Sequence, residues 1–161
     1  MSAPLFDRLL VRLVQTDVRF VVIGGLALGS WGVVRGTKDC DIVPDPAPEN
    51  LDRLARVAAE LGGHVQLGES LLGSERSIAA LLSNGERALI ATQLGDLDVV
   101  QGLEGVPLYA ELQAKAIDVE MADVTIAICA LEHLRTMKRA AGRPRDLVDL
   151  DDLDAAQPGQ D

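Results

Sequence analysis

The chain has 161 residues, a length typical of one domain, and apolar residues make up 48% of it. Its formal net charge of −10 disfavours non-specific binding to nucleic acid or to an anionic membrane, yet it is compatible with a local basic site. No apolar stretch approaches the roughly 18 residues of a membrane-spanning helix, and no basic segment followed by an apolar run opens the sequence. We therefore expect a cytoplasmic protein that does not interact with membranes.

Hydrophobic spacing predicts helices and strands in alternation. Apolar residues that recur every three or four positions indicate amphipathic helices, and short β-branched runs indicate strands. Glycines and prolines mark the turns between them. In chain order, the predicted elements are a helix (4–16), a strand (20–23), a short helix (26–33), a strand (40–43), an amphipathic helix (49–61), a strand (64–67), a hairpin (87–92 and 96–101), a helix (109–115), two strands (117–120 and 124–128) and two helices (131–141 and 144–153).

One segment has no definite period, because both a short helix and an irregular segment fit residues 71–85. The chain contains no internal repeat and no linker long enough to separate two domains. The order of the elements therefore predicts an α+β protein, with a mixed β-sheet flanked by helices in a single domain. We expect this domain to occupy residues 1–154 and a flexible acidic tail to occupy residues 155–161.

The pattern that carries chemistry is a pair of glycines followed, thirteen residues later, by Asp39-x-Asp41. Two residues apart on a strand, Asp39 and Asp41 project from the same face, with backbone positions roughly 6.5 Å apart. Their carboxylates can converge on one or two hard cations, and carboxylate oxygen is the ligand that Mg²⁺ prefers. Gly24 and Gly25 lie between a strand and a helix start, where backbone N–H groups can approach a phosphate closely.

A third carboxylate is expected, because two aspartates seldom complete the coordination of two metal ions. We select Asp98, because it has apolar neighbours in the sequence, as Asp41 does. Asp96 would share its face but follows Gly95, where an aspartate is common in a turn. An Asp-x-Asp pair alone is a weak signal in a chain with 25 acidic residues, so the assignment also depends on the preceding strand and glycines.

Gly24, Gly25, Asp39 and Asp41, with the gap between them, resemble the signature of the DNA polymerase β-like nucleotidyltransferase superfamily. The surrounding strings, Val-Ile-Gly-Gly-Leu-Ala and Arg-Gly-Thr-Lys-Asp-Cys-Asp, look like its small bacterial branch. A string near the C terminus, Lys-Arg-Ala-Ala-Gly-Arg-Pro-Arg-Asp-Leu, is similar to the equivalent stretch in nucleotidyltransferase-type toxins of abortive-infection systems. The resemblance covers about residues 20–150.

This resemblance implies a nucleotidyltransferase-like mixed sheet, two Mg²⁺ ions (with Mn²⁺ as a substitute) and an NTP donor. It also implies that Asp39 and Asp41 are metal ligands, and that Asp98 is the third ligand and the general base for an acceptor hydroxyl. The chain departs from the family at Cys40, where a larger aliphatic residue is usual. It also leaves little room for the helical domain with which larger members hold the acceptor.

Positive charge is concentrated near the C terminus of this acidic chain, at Arg135, Lys138, Arg139, Arg143 and Arg145. We expect Lys138 and Arg143 to contact the triphosphate, with Asp146 orienting one of them. Arg35, just before the aspartate pair, is predicted to reach the same phosphates. The alternative is an ordinary solvated helix face on which the basic residues pair with nearby aspartates.

The predicted activity is transfer of a nucleoside monophosphate from an NTP to a hydroxyl acceptor. The acceptor stays open between a small molecule such as an antibiotic, a tRNA and a protein. The resemblance also suggests a component of a toxin–antitoxin pair, with a homodimer or a cognate antitoxin as partner. The alternative is a nucleotide-binding or regulatory module that keeps the fold without catalysis.

Overall fold

A six-stranded mixed sheet forms the centre of the computed structural model, which describes residues 4–159. Along the chain, the strands are β1 (Phe20–Ile23), β2 (Asp39–Pro44), β3 (Val65–Leu67), β4 (Ser70–Leu72), β5 (Ala88–Thr92), β6 (Gly95–Val99), β7 (Ile117–Met121) and β8 (Val124–Ile128). The order in the main sheet is β5-β6-β2-β1-β8-β7, and β3 pairs with β4 in a separate two-stranded sheet. Strands β2 and β1 therefore occupy the middle of the main sheet.

Helices pack against this sheet and against one another. They are α1 (Phe6–Gln15), α2 (Gly24–Ser30), α3 (Pro48–Glu60), α4 (Glu75–Ser83), α5 (Tyr109–Lys115), α6 (Leu131–Ala141) and α7 (Pro144–Ala156). α1 contacts β8, α2 contacts β2, α5 contacts β1, and α6 packs along α7. Among the described residues, no helix is both long and apolar enough to cross a membrane.

The core is aliphatic, as the scarcity of aromatic residues requires. Strand β1 is buried along its whole length, which suits a continuous apolar run at the centre of a sheet. Helix α1 places Leu9 and Leu13 in the core, and α3 adds Leu54, all three fully buried. Their spacing is the helical period seen in the sequence, so burial of one apolar face accounts for both helices.

Strand register positions the acidic residues. Strand β2 pairs in parallel with β6, so that Asp39 is opposite Asp96 and Asp41 is opposite Asp98. On its other side β2 pairs antiparallel with β1, which brings Ile23 opposite Asp41. The chain leaves β1 directly into α2 at Gly24. The end of β1, the start of α2 and the acidic positions of β2 and β6 therefore meet at one place.

The predicted α+β class with a mixed sheet is confirmed, and the ambiguous segment 71–85 is now defined. It contains the end of β4 and all of α4, which begins after Ser74, whose side chain accepts a hydrogen bond from the Ser77 backbone N–H. Serine is a favoured residue at this capping position, and its short-range hydrogen bond was not considered in the sequence prediction.

Several boundaries differ from the prediction by one to three residues, and two of these differences affect the site and the predicted tail. Helix α2 begins at Gly24, two residues before the predicted start, so the glycines open the helix as well as ending the strand. Helix α7 continues to Ala156, and the Gln157 side chain donates a hydrogen bond to the Trp31 carbonyl oxygen at 3.1 Å. The first two residues of the predicted tail are therefore helical, and residues 160–161 lie outside the described part of the chain.

Candidate active site

Three aspartates from two neighbouring strands converge. Asp39 and Asp41 lie on β2, and Asp98 lies on β6 directly opposite Asp41. One carboxylate oxygen of each residue lies within 4.8 Å of the corresponding oxygens of the other two. The structure thus brings together the three aspartates selected from the sequence, whereas Asp96 lies opposite Asp39 and is not a member of this group.

The cluster carries negative charge in a partly desolvated place. Burial, followed by the charge of Asp98 and a hydrogen bond with it, raises the pKa of Asp41 to about 7. Burial and the charges of Asp98 and Asp96 raise the pKa of Asp39 as well. Both shifts mean that burial, and then the charge of the neighbouring carboxylates, disfavours the ionised forms, so positive charge placed among them would be favoured.

Arg87 supplies some of that positive charge, and the sequence analysis missed it. Its Nε donates to Asp98 Oδ1 at 2.9 Å and its Nη2 to Asp98 Oδ2 at 2.5 Å. The hydrogen bond to Asp98 raises the pKa of the Arg87 guanidinium. A signal for this pair was present in the predicted hairpin, because Leu89 is opposite Asp98 and Arg87 is two residues away on the same side of the strand.

Glycine is required where β1 passes into α2. Gly24 has a φ of +68°, which side-chain-bearing residues rarely adopt. A Cβ atom at Gly24 would lie 2.9 Å from Asp41 Cγ and nearer still to a carboxylate oxygen. At Gly25, a Cβ atom would lie 2.6 Å from Thr37 Oγ1. Gly24 therefore allows the backbone to approach the aspartate cluster closely, and Gly25 allows it to approach Thr37.

These groups line one cavity of about 340 Å³. The strand wall comprises the glycines, the three aspartates and Arg87, the helix wall comes from α6, Arg143 and the start of α7, and residues from 100–106 complete the lining. The cations of the helix wall are Lys138, Arg143 and Arg145, and the same wall contributes apolar residues such as Leu134 and Met137. Cations of this kind suit an anionic ligand such as a phosphate group, and carboxylate oxygens are the kind of ligand that hard metal ions prefer.

Two of these cations, Lys138 and Arg143, are held by aspartates of α7. Lys138 is 7% exposed, and its Nζ lies 2.9 Å from Asp149 Oδ2 and 3.3 Å from Asp146 Oδ1. Arg143 Nε donates to Asp146 Oδ2 at 2.7 Å. Burial alone would raise the pKa of Asp146, but hydrogen bonds from Arg143 and Lys138 lower it to about 2. The predicted pairing of Asp146 with a basic neighbour is therefore present, and both cations also face the cavity.

The structure does not bring Arg35 to this cavity. Its Nε lies 2.8 Å from Asp149 Oδ1, and its Nη2 lies 3.0 Å from Asp149 Oδ2. Asp149 is 1% exposed, and burial of a carboxylate needs compensating cations, which Arg35 and Lys138 both supply. Arg145, to which the sequence assigned no separate role, does line the cavity, and its charge offsets a small part of the rise in the pKa of Asp39.

No protein-family model and no curated protein matches this sequence, but solved structures match it. A protein from Thermotoga maritima assigned as a nucleotidyltransferase (TM1012) has a TM-score of 0.58 and 18% identity, over 94% of this chain and 93% of that one. The antibiotic-resistance factor ANT(2″)-Ia in solution has a TM-score of 0.59 and 15% identity, over 94% and 83%. ANT(2″)-Ia in complex with adenylyl-2″-tobramycin has a TM-score of 0.58 and 14% identity, over 94% and 88%.

The chain has the nucleotidyltransferase fold. The similarity extends over nearly the whole of this chain and most of each matching chain, so the fold expected from the glycines and aspartates is confirmed. The closer resemblance to toxins of abortive-infection systems stays a prediction.

Within this nucleotidyltransferase fold, the aspartate cluster fits a hard divalent cation. Its ligand atoms are carboxylate oxygens within 4.8 Å of one another, and the pKa of Asp41 is raised by burial and by neighbouring carboxylates. Mg²⁺ prefers such oxygen ligands. Asp39, Asp41 and Asp98 are the residues that would hold the ion or ions.

Proposed function

We propose that this chain is a divalent-cation-dependent nucleotidyltransferase, which transfers a nucleoside monophosphate from an NTP to a hydroxyl acceptor. The observation that carries the proposal is that one cavity contains both kinds of charged group. Asp39, Asp41 and Asp98 line it together with Lys138 and Arg143. Positioning and charge neutralisation supply most of the catalysis in phosphoryl transfer, and this cavity offers both kinds of group.

The residues divide into two roles in this proposal. Asp39, Asp41 and Asp98 hold Mg²⁺, which when bound neutralises triphosphate charge and polarises the phosphorus that is attacked. Lys138 and Arg143 bind the phosphates and stabilise the charge that develops on pyrophosphate as it leaves. The backbone at Gly24 and Gly25 approaches the phosphates, and Asp98 accepts the proton of the acceptor hydroxyl.

A small-molecule acceptor is the version that the observations favour. The net charge of −10 opposes binding of an extended polyanion such as tRNA, and the cavity of about 340 Å³ is of a size for small ligands. ANT(2″)-Ia, which shares the fold, is an antibiotic-resistance factor and was solved with an adenylylated antibiotic. A cytoplasmic location, a toxin–antitoxin role and a homodimer or antitoxin partner rest on the sequence alone.

A second candidate function is nucleotide binding without turnover. Arg87 occupies both carboxylate oxygens of Asp98, which is the residue assigned to proton transfer. A module in which this pair is permanent would bind an NTP through the cations of α6 and α7 and would not activate an acceptor.

The test is incubation of the protein with Mg²⁺, each labelled NTP and separate acceptors: aminoglycosides, total tRNA and protein. We expect label transfer and pyrophosphate release with one acceptor class. Both are expected to disappear in Asp39→Asn. Asp96→Asn is the matched control, because Asp96 lies opposite Asp39 in the sheet but outside the aspartate cluster, and it should keep most of the activity.

Two results would decide against the enzyme. NTP binding with no transfer to any acceptor supports the binding module. Transfer that survives in Asp39→Asn but is lost in Asp96→Asn shows that a different group of carboxylates performs the reaction.

A further inference from the structure

The contact between Arg87 and Asp98 joins an exposed side chain to a buried one. The Asp98 side chain is 3% exposed, whereas the Arg87 side chain is 55% exposed. Only the guanidinium end of Arg87 is therefore held, through two hydrogen bonds to the two oxygens of one carboxylate. A side chain with so little packing can leave its partner without disturbing the core.

The ionised form of Asp98 is stabilised by a positively charged partner, because burial of a carboxylate without one is strongly disfavoured. In the structure that partner is Arg87. A divalent cation at the cluster would satisfy the same carboxylate and would repel the guanidinium at short range. The cation and Arg87 therefore compete for Asp98.

The displaced guanidinium would stay within the cavity, because Arg87 lines it together with Lys138 and Arg143. An arginine fork matches a phosphate group as well as it matches a carboxylate. The anion that enters this cavity in the proposed reaction is a triphosphate. The Arg87 guanidinium can thus pair with Asp98 before the cation binds and with a phosphate afterwards.

We propose that Arg87 is an internal counter-ion that holds Asp98 in the cation-free protein and transfers to the triphosphate when a divalent cation takes its place. This inference rests on the proposed cation site, and it adds that cation binding and nucleotide binding are coupled through one residue. Each ligand then raises the affinity for the other by the same factor, as linkage requires.

The experiment measures binding of Mn²⁺ alone, by electron paramagnetic resonance of the free ion, to the wild type, Arg87→Gln and Arg145→Gln. Hydrogen bonds to a charged group contribute enough that we expect Arg87→Gln to tighten Mn²⁺ binding about tenfold. Arg145→Gln is the matched control. It removes the same charge from the same cavity, but Arg145 acts on Asp39 and has no hydrogen bond to Asp98 in the structure. We expect it to tighten binding by much less.

A second measurement follows a non-hydrolysable NTP analogue with saturating Mn²⁺. The released guanidinium contributes to phosphate binding, so Arg87→Gln should bind the analogue several-fold more weakly although it binds Mn²⁺ more tightly. Arg87→Lys keeps a positive charge over the buried Asp98 but loses the fork. It is expected to bind Mn²⁺ with an affinity between those of the wild type and Arg87→Gln. If Arg87→Gln does not fold, the comparison of Arg87→Lys with the wild type tests the proposal.

Equal tightening in Arg87→Gln and Arg145→Gln overturns the proposal, because the effect would then be a general change in charge. Unchanged or weaker Mn²⁺ binding in both Arg87 variants overturns it as well. Failure of the proposed function looks different: the wild type and every Arg87 variant would bind no Mn²⁺, and Asp41→Asn would be indistinguishable from them.

Discussion

The two walls of the cavity contain buried charge of opposite character. On the wall formed by β2 and β6, burial and neighbouring carboxylates raise the pKa of Asp41 to about 7. On the wall formed by α6 and α7, burial alone would also raise the pKa of Asp146, but hydrogen bonds from Arg143 and Lys138 lower it to about 2. The first wall has too little positive charge for its aspartates, whereas in the second Lys138 and Arg143 are paired with Asp146.

The opposite pKa shifts distinguish a wall that is suited to bind a cation from a wall that stabilises the fold. A carboxyl group with a raised pKa keeps a proton in the folded state that the unfolded state has lost, so its ionisation opposes folding at neutral pH. A carboxyl group with a lowered pKa stays ionised in the folded state, and its ionisation stabilises the fold at neutral pH. The strands therefore position Asp39 and Asp41 by register although the charges repel, and a bound cation would relieve that repulsion.

The largest expected effect is that of Asp41→Asn. Loss of a ligand charge at the reacting centre should lower the rate of NMP transfer about 10³-fold. The free energy of unfolding at pH 8 without divalent cations should increase by about 1–2 kcal/mol, because the unfavourable ionisation of Asp41 is removed. Label transfer and urea unfolding measure the two quantities.

Asp96→Asn is again the control, and it should leave both quantities nearly unchanged. If Asp41→Asn kept its activity or became less stable, the strand wall would be an ordinary part of the structure rather than a ligand site.

Asp146→Asn should have the opposite effect on stability. The ordinary aspartate value is 3.8, and the pKa of Asp146 in the fold is about 2, so its ionised form stabilises the protein above pH 4. This contribution is lost as the pH falls from about 4 to about 2, and its size is roughly 2 kcal/mol. At pH 7 the variant should be less stable by about that amount, and the difference from the wild type should vanish near pH 2.

Urea unfolding of both proteins between pH 7 and pH 2 measures this difference. A constant difference across that range would show that Asp146 stabilises α7 by packing or capping and not by its charge.

The strand wall was more predictable from the sequence than the helix wall. Asp39 and Asp41 follow from strand alternation together with the preceding strand and glycines, and the apolar neighbours of Asp98 indicate a buried position, which the structure has at 2% exposure. The parallel pairing of β2 with β6 could not be derived, because the two strands are separated by α3, α4 and the β3–β4 hairpin. Asp98 was assigned to the cluster because a metal site needs a third carboxylate, and the pairing of β2 with β6 brings it next to Asp41.

The partners of the charged residues were less predictable. Arg35 is close to Asp39 in sequence, but its bonds go to Asp149, a residue 114 positions away. Arg87 was overlooked because its neighbours in the sequence resemble those of a surface arginine, and its contact with Asp98 follows only from the register of the hairpin. Ion pairs between distant segments depend on how the helices pack, which local patterns do not contain.

Gly24→Ala tests how closely the backbone approaches the strand wall. The left-handed conformation disfavours alanine by about 1–2 kcal/mol, and the added methyl group would also displace the Asp41 carboxylate. We expect a loss of stability of that size and a loss of transfer activity, measured by urea unfolding and label transfer.

Gly29→Ala is the matched control in the same helix, because a Cβ atom there meets nothing within 4 Å. Alanine in the interior of a helix is favoured over glycine, so this variant should be neutral or slightly more stable. Equal behaviour of the two variants would show that no close approach exists at Gly24.

The smallest effect is expected for Arg35→Gln. This variant tests whether Arg35 contacts the phosphates or only pairs with Asp149. The sequence predicts a phosphate contact, whereas the structure pairs Arg35 with Asp149, and Lys138 remains to satisfy that carboxylate. The Arg35 side chain is 27% exposed, and the expected loss of stability is therefore about 1 kcal/mol or less. The KM for the NTP should change by less than about threefold, since the effect on Lys138 is indirect. A tenfold or larger increase in KM with unchanged stability would mean that Arg35 leaves Asp149 and binds phosphate during the reaction. In that case a cation of the helix wall would move from a carboxylate to the substrate, as we propose for Arg87 on the strand wall.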